Sequence, residues 1–565
     1  MGKSPMGIGV FSLVSLGMYP RLYPRNGLGT PHFFESVPRF VPRFWSGYPQ
    51  FYGVWRMHIG LWINCSNTPP LADTCYMGAG WRCAMCERSD FFKTFRQQIH
   101  HGFESCADAL LNLVDSLSGR QNAQSVAELS LEPLFDRKYS SLYKAISSAF
   151  VPGNKEEAAK ERQGKALEQV KSLFPAFVKP SKHPFWLTAI DATPALRPYS
   201  NCLADRSITY YPNPAPGNKP IGVGHSYSLL ALLPEREIHA PPWVVPLSCQ
   251  RITTQQSANE VAAKQMAALL SEPGLPFGIE LTVNTADSGY SKAHYLGPVS
   301  GFPNHVEVVR AAKNRRFFQV EATPEVHPGH VGRPKKFGVV FDLKDETTWG
   351  KAVEETEVDW QTASGRTLKI KLQRWNTLLM RGKKNIPMHE HPFDLVRAQV
   401  FDISGKLVFA RPMWLIVMGN RRAEISTVAA YEAYRQRYDL EHFFRFGKNK
   451  LLMDSFQTPT LEHEENWWWL ACLAYVQLWL AAHLCCPLPK PWERYLPEFK
   501  EHPLPSPSQV QRDYGRIIRQ FGTPACPRKP RGNSPGRPKG ASQCKRKREP
   551  IVFKRSKPSK VVTSD

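Results

Sequence analysis

The chain has 565 residues, of which 42% are hydrophobic and 22% charged, and a formal net charge of +24. The length predicts two to four domains, and the apolar content excludes a chain that is disordered throughout. The positive excess points to a polyanionic partner, nucleic acid first.

That charge is uneven. From Pro524 to Asp565, thirteen Lys and Arg stand against Glu549 and Asp565, a net +11. The end of the chain therefore reads as a basic arm on a mildly basic body. The twelve Cys are scattered. Cys65, Cys75, Cys83 and Cys86 could make a zinc site, but with irregular spacing and one CxxC, free thiols in a reducing cytosol are the simpler reading.

Residues 1–84 are rich in Pro, Gly, Tyr and Trp and show no helical or alternating period. They read as an atypical leader upstream of a native start at Met85. Gly7–Met18 loosely resembles a signal peptide but lacks a small-residue cleavage site. An amphipathic pattern then begins at Phe91, Phe92, Phe95, Ile99 and Phe103, and 85–175 reads as a helical N-terminal domain expected to bind DNA.

Strands are expected at Phe185–Asp191, Ile208–Tyr211, Gly222–Leu233 and Trp243–Ile252, then a helix at Gln255–Ser271 and strands at Phe277–Ala286 and Val306–Val320. Residues 321–395 change character and read as a β-rich insertion. Strands resume at Leu395–Phe401 and Leu407–Val417. One long helix is expected from about Thr427 to Leu452. The apolar stretch Trp467–Cys486 is nearly long enough to span a bilayer, but Gln477 and His483 inside it favour a buried packing helix. From 488 the chain is Pro-rich and then basic, and little fold is expected after Leu504.

Three acids stand out. Asp191 closes the apolar run Phe185–Ile190, and Asp287 closes Ile279–Ala286 before Ser288 and Gly289 break it. Acids at the ends of two strands can meet at one sheet rim, although each alone also suits a turn or cap. The third is Glu441. At about 100° per residue, Tyr434, Arg437, Glu441, Arg445 and Lys448 fall on one helical stripe roughly 80° wide. Asp439 falls elsewhere. Salt-bridge pairs on a solvated face would explain Arg437, Glu441 and Arg445, but not Tyr434 and Lys448 on the same line.

Tyr434-x2-Arg437-x3-Glu441-x6-Lys448 resembles the YREK signature of bacterial insertion-sequence transposases, and with Asp191 and Asp287 it resembles their DDE triad. The resemblance spans about 180–487. It implies an α/β, RNase H-like mixed sheet with flanking helices, in two catalytic parts (176–320 and 396–487) separated by the insertion. It implies that Asp191, Asp287 and Glu441 bind two divalent cations, Mg²⁺ or Mn²⁺. Tyr434, Arg437 and Lys448 would grip the phosphates of double-stranded DNA, at transposon ends and target. A homodimer on DNA and a location at the bacterial nucleoid in the cytoplasm, with no membrane role, follow from the same resemblance. The competing expectation is a catalytically inactive or regulatory DNA-binding relative.

Other candidates are weaker. His225 lies in a strand and suits a structural place better than a catalytic one. His389 and His391 form an HxH in a Pro-bounded loop. Gly536-Arg537-Pro538-Lys539-Gly540 resembles an AT-hook core, whose Arg enters a narrow minor groove.

Overall fold

The computed structural model describes residues 84–150, 180–211, 220–237, 240–320, 336–362, 365–486, 504–530 and 536–553 apart from 537 and 543. Residues 1–83 of the expected leader, Cys65, Cys75 and Cys83 of the cysteine site, and the arginine of the AT-hook-like segment lie outside them. The described residues belong to one compact unit.

Twelve strands form one sheet. Its centre is β1 (Trp186–Leu196), flanked by β3 (Ile221–Leu232) and β5 (Thr282–Ala286). β3 is antiparallel to β1 and to β4 (Val245–Ile252), whereas β1, β5 and β6 (His305–Arg310) run parallel. The order β4-β3-β1-β5-β6, with those directions, is that of an RNase H-like core. β2 (Ser207–Tyr210) shares the outer edge of β3 with β4. Gly224 on β3 permits the close approach of β1, because a Cβ there would lie 2.1 Å from the Ala195 carbonyl.

Beyond β6 the sheet continues through β12 (Met413–Met418), β11 (Phe393–Asp402) and β10 (Thr367–Leu379). The inserted strands β7 (Arg316–Gln319), β8 (Val340–Asp342) and β9 (Glu354–Gln361) pair along β10 or each other. The insertion therefore extends the sheet. The single strand expected over Val306–Val320 is two, β6 and β7, separated by a turn at 312–315.

Helices cover both faces. On β4, Ser248 and Cys249 are consecutive and so point to opposite faces. Ser248 accepts from Gln265 of α4 (Ala258–Ser271) at 3.0 Å, while Cys249 meets Cys472 of α8 (Leu461–Ala481). The Trp-rich α8 is buried along almost its whole length, and among the described residues no helix is long and apolar enough to cross a membrane. Between α4 and α8 come α5 (Ala293–Val299), α6 (Thr427–Gln436) and α7 (Tyr438–Lys450).

The described part of the segment read as a helical N-terminal domain shares its hydrophobic core with the sheet. Its helices α1 (Ala84–Gly102), α2 (Ala107–Ser118) and α3 (Tyr139–Ser148) all pack against α8. They are joined by α9 (Pro507–Phe521), which corrects the expectation of little fold after Leu504. Ser506 and Gln509 form a reciprocal capping box with Pro507 in the first turn, a strong helix start. Val510, Tyr514 and Ile517 then bury one face. The junction is polar as well: buried Arg96 of α1 pairs with Asp115 of α2, and Gln477 of α8 and Tyr514 of α9 each bond both.

Asp115→Ala leaves the Arg96 guanidinium buried with no carboxylate. It should cost about 3–5 kcal/mol, whereas Tyr514→Phe should cost about 1 kcal/mol. Urea unfolding of both variants checks this; a loss below about 1 kcal/mol for Asp115→Ala would mean that water replaces the lost partner.

Candidate active site

The registers of β1 and β5 create the site. Their parallel pairing ends at Ile190 opposite Ala286, so Asp191 and Asp287 follow on adjacent strands. The expected strand end at Asp191 is corrected here: β1 runs on to Leu196, paired only with β3. The freed edge is what lets Pro194 sit in the strand, since no neighbour there needs its missing N–H. It is β5 that stops. Asp287 caps the short turn Ser288–Tyr290, and its carboxylate accepts from the Gly289 N–H at 2.8 Å. The capping reading of Asp287 is thus correct and compatible with a place at the rim.

The third acid arrives on a broken helix. The long helix expected over 427–452 is two, α6 and α7, with Arg437 between them. The Arg437 N–H donates to Tyr434 O and the Leu440 N–H to Arg437 O, both one residue shorter than the α-helical step, a tightening of the 3₁₀ kind. The junction is pinned to the end of β3. Gln436 donates to Pro234 O at 2.7 Å, and Asp439 takes both arms of Arg236 at 2.8 Å each. Asp439, the acid off the stripe, therefore has a structural ion pair.

Arg437 ties the acids together. One guanidinium nitrogen lies 2.9 Å from an Asp191 oxygen, the other 2.6 Å from Glu441. Burial drives the Asp191 carboxyl up to about 6; Arg437 opposes this, while Asp287 and Glu441 add to it. Desolvation therefore wins over the ion pair. Tyr290, missed in the sequence, has its buried hydroxyl pushed well above its ordinary range, first by burial and then by the charges of Asp191 and Asp287. It stays neutral beside both acids. The only signal for it was its place three residues after Asp287.

The other stripe residues separate. Tyr434 is buried, its ring 5.7 Å from the Arg437 guanidinium. Lys448 is half-buried and donates to the Pro194 carbonyl on β1 at 2.6 Å; burial pulls its ammonium below the usual range. Arg445 is exposed. His225 lies outside the site: its ring is buried between Glu464, at 2.6 Å, and Ala204 O, at 3.0 Å.

The donor chemistry suits a hard cation, since Asp287 and Glu441 are near enough to Asp191 to raise its carboxyl and all three offer carboxylate oxygens. As they stand, no three His, Cys, Asp or Glu among the described residues are close enough to hold one ion.

Residues 94–371 match the family of DDE superfamily endonucleases. The match supports a DDE-type, transposase-like domain over that span and, at that level, a nuclease-like activity on DNA. It contains Asp191 and Asp287 and ends before Glu441, which only the fold connects to them. No curated protein matches the chain.

The Asp191 shift fixes a pH dependence. Its folded value near 6 exceeds the ordinary 3.8, so the folded chain holds the extra proton and metal-free stability falls as pH rises from about 4 to about 6. Asp191→Asn should flatten that fall. Arg437→Ala should steepen it, because it removes the one charge that favours ionised Asp191. Melting temperatures in chelator from about pH 4 to about pH 7 check both; parallel profiles for all three proteins would place the titration elsewhere.

Proposed function

We propose that the chain is a DNA transposase that carries out metal-dependent strand cleavage and transfer at insertion-sequence ends by a cut-and-paste route. One observation carries this reading: Asp191, Asp287 and Glu441, far apart in the chain, converge at the rim where β5 ends, two of them through Arg437. The DDE endonuclease match supports it independently.

In this reading the three carboxylates hold two Mg²⁺ or Mn²⁺ ions. Such ions activate a nucleophilic oxygen and stabilise the leaving one. The residues around them have distinct tasks. Arg437 is the resident counter-ion: it holds Asp191 and Glu441 together without metal and would be free for a DNA phosphate once ions neutralise them. Tyr434 supports Arg437 from inside the core. Lys448 spends one of its three N–H donors on Pro194 O and has two left for a phosphate near the cut. The substrate is double-stranded DNA, held by a homodimer, in the bacterial cytoplasm.

Asp191→Asn, Asp287→Asn and Glu441→Gln should each abolish Mn²⁺-dependent nicking of DNA while leaving DNA affinity within about threefold, since each removes an ion ligand and no cation. Mn²⁺ should raise the melting temperature of the native chain and not that of the variants. Lys448→Ala should slow nicking more than Arg445→Ala at equal melting temperature. Full nicking by any one acid variant removes that residue from the site; DNA binding without nicking by the native chain would leave the regulatory relative as the correct reading.

A further inference from the structure

The basic arm at the end of the chain is not free over its whole length. Residues 544–553 lie against the loop that follows β1. The Glu549 N–H donates to Asn201 O at 2.9 Å and the Val552 N–H to Arg206 O at 2.7 Å. Val552 makes a parallel bridge to Ser207 at the start of β2. In return, buried Arg206 donates to the Glu549 carbonyl at 3.2 Å.

The loop that receives the arm is rigid and joined to the site. Arg206 also bonds the Arg197 carbonyl. Arg197, fully buried, pairs with Glu464 of α8 at 2.8 Å and bonds the Asp454 carbonyl just beyond α7. From Asp191 to Leu196, β1 covers about 16 Å at its usual rise, less than one duplex turn of about 34 Å. Anchored this way, Lys545, Arg546, Lys547 and Arg548 all remain exposed. Lys547 has only a 3.9 Å contact with Glu549, at 86% side-chain exposure, which neutralises little.

We infer that Lys545–Arg548 forms a docked phosphate-binding strip that holds the backbone of duplex DNA running past the active site. The occupant is DNA because four exposed cations on a fixed backbone match the regular phosphate charge of a duplex. A docked strip also differs from a floating arm: its ordering cost is met in the free protein, so more of the attraction appears as affinity. The inference rests on the transposase reading for its ligand but not on catalysis.

The experiment measures equilibrium binding of the full-length chain to a mixed-sequence DNA duplex across a salt titration. Combined Lys545→Ala, Arg546→Ala, Lys547→Ala and Arg548→Ala substitution should lower the slope of log affinity against log salt by about 3–4, near 0.9 per lost cation. Val552→Pro keeps every charge but removes the N–H that docks the arm. It should weaken binding about fivefold, the worth of one net hydrogen bond, with unchanged melting temperature. Val552→Ala keeps the N–H and should match the native chain. An unchanged slope in the fourfold variant takes the strip off the DNA path. A reduced slope together with native affinity for Val552→Pro leaves a charged arm whose docking is irrelevant. Either result overturns the inference. Absence of salt-dependent binding by the native chain overturns the transposase reading as well.

Discussion

Two carboxylates on neighbouring parallel strands repel each other, and burial makes that repulsion worse by removing water. Asp191 and Asp287 are in that position because β5 stops pairing one residue before them. Much of the surrounding architecture answers this constraint. Arg437 supplies a positive charge at the one point that reaches both Asp191 and Glu441, and the break between α6 and α7 is what aims it there. The compensation is incomplete, since Asp191 stays raised to about 6. An acid cluster left short of positive charge is one that a divalent cation can enter with gain, so residual electrostatic cost and metal-binding capacity have the same origin.

The helical layer solves a different problem. α8 is apolar on every side, and such a helix must be covered all round to stay in water. The sheet covers one side; α1, α2, α3 and α9 cover others. The last contributor lies in the part of the chain richest in Pro and basic residues. The Arg96–Asp115 pair shared by α1, α2, α8 and α9 fixes how they meet, as apolar contacts alone leave helices free to slide.

What could be read in the sequence follows from the range of the interaction. The alternation and apolar runs that mark β3, β4 and α4 are local, and these elements fall within a few residues of expectation. Asp191, Asp287 and Glu441 were legible because residue spacing carries the resemblance to a known signature. Three features depended on tertiary contacts. β1 outlasts Asp191 because β3 continues to pair with it, which alternation after Pro194 does not reveal. The helix breaks at Arg437 where Gln436 and Asp439 are tied to Pro234 and Arg236, some two hundred residues away in the chain. The α9 capping box, Ser506-Pro507-Ser508-Gln509, was a local signal in plain view, outweighed by the Pro-rich composition around it. The docked arm left no local signal, because its partners at 201–207 are hundreds of residues away.

The insertion between Asp287 and Glu441 bears on how the third acid reaches the site. A long excursion costs only modest closure entropy, but it also loosens whatever it connects unless its ends are held. Here the chain leaves at β6 and returns at β12, which is hydrogen-bonded to β6, so the ends are fixed to each other. The strands beyond do more. Ile370, Leu372, Ala398 and Val400 enclose Tyr431 of α6 in a second apolar core. Thr427 at the start of α6 bonds Glu354 of β9, and Arg435 near its end lies 3.8 Å over the Trp360 ring of the same strand. Arg374 of β10, paired with Asp394, holds the Ile425 carbonyl just before the helix. Each contact helps to fix α6, and Arg437 stands at its end, where α7 with Glu441 begins. The inserted sheet is thus the seat of α6, the helix whose end carries Arg437 and leads into the helix of Glu441.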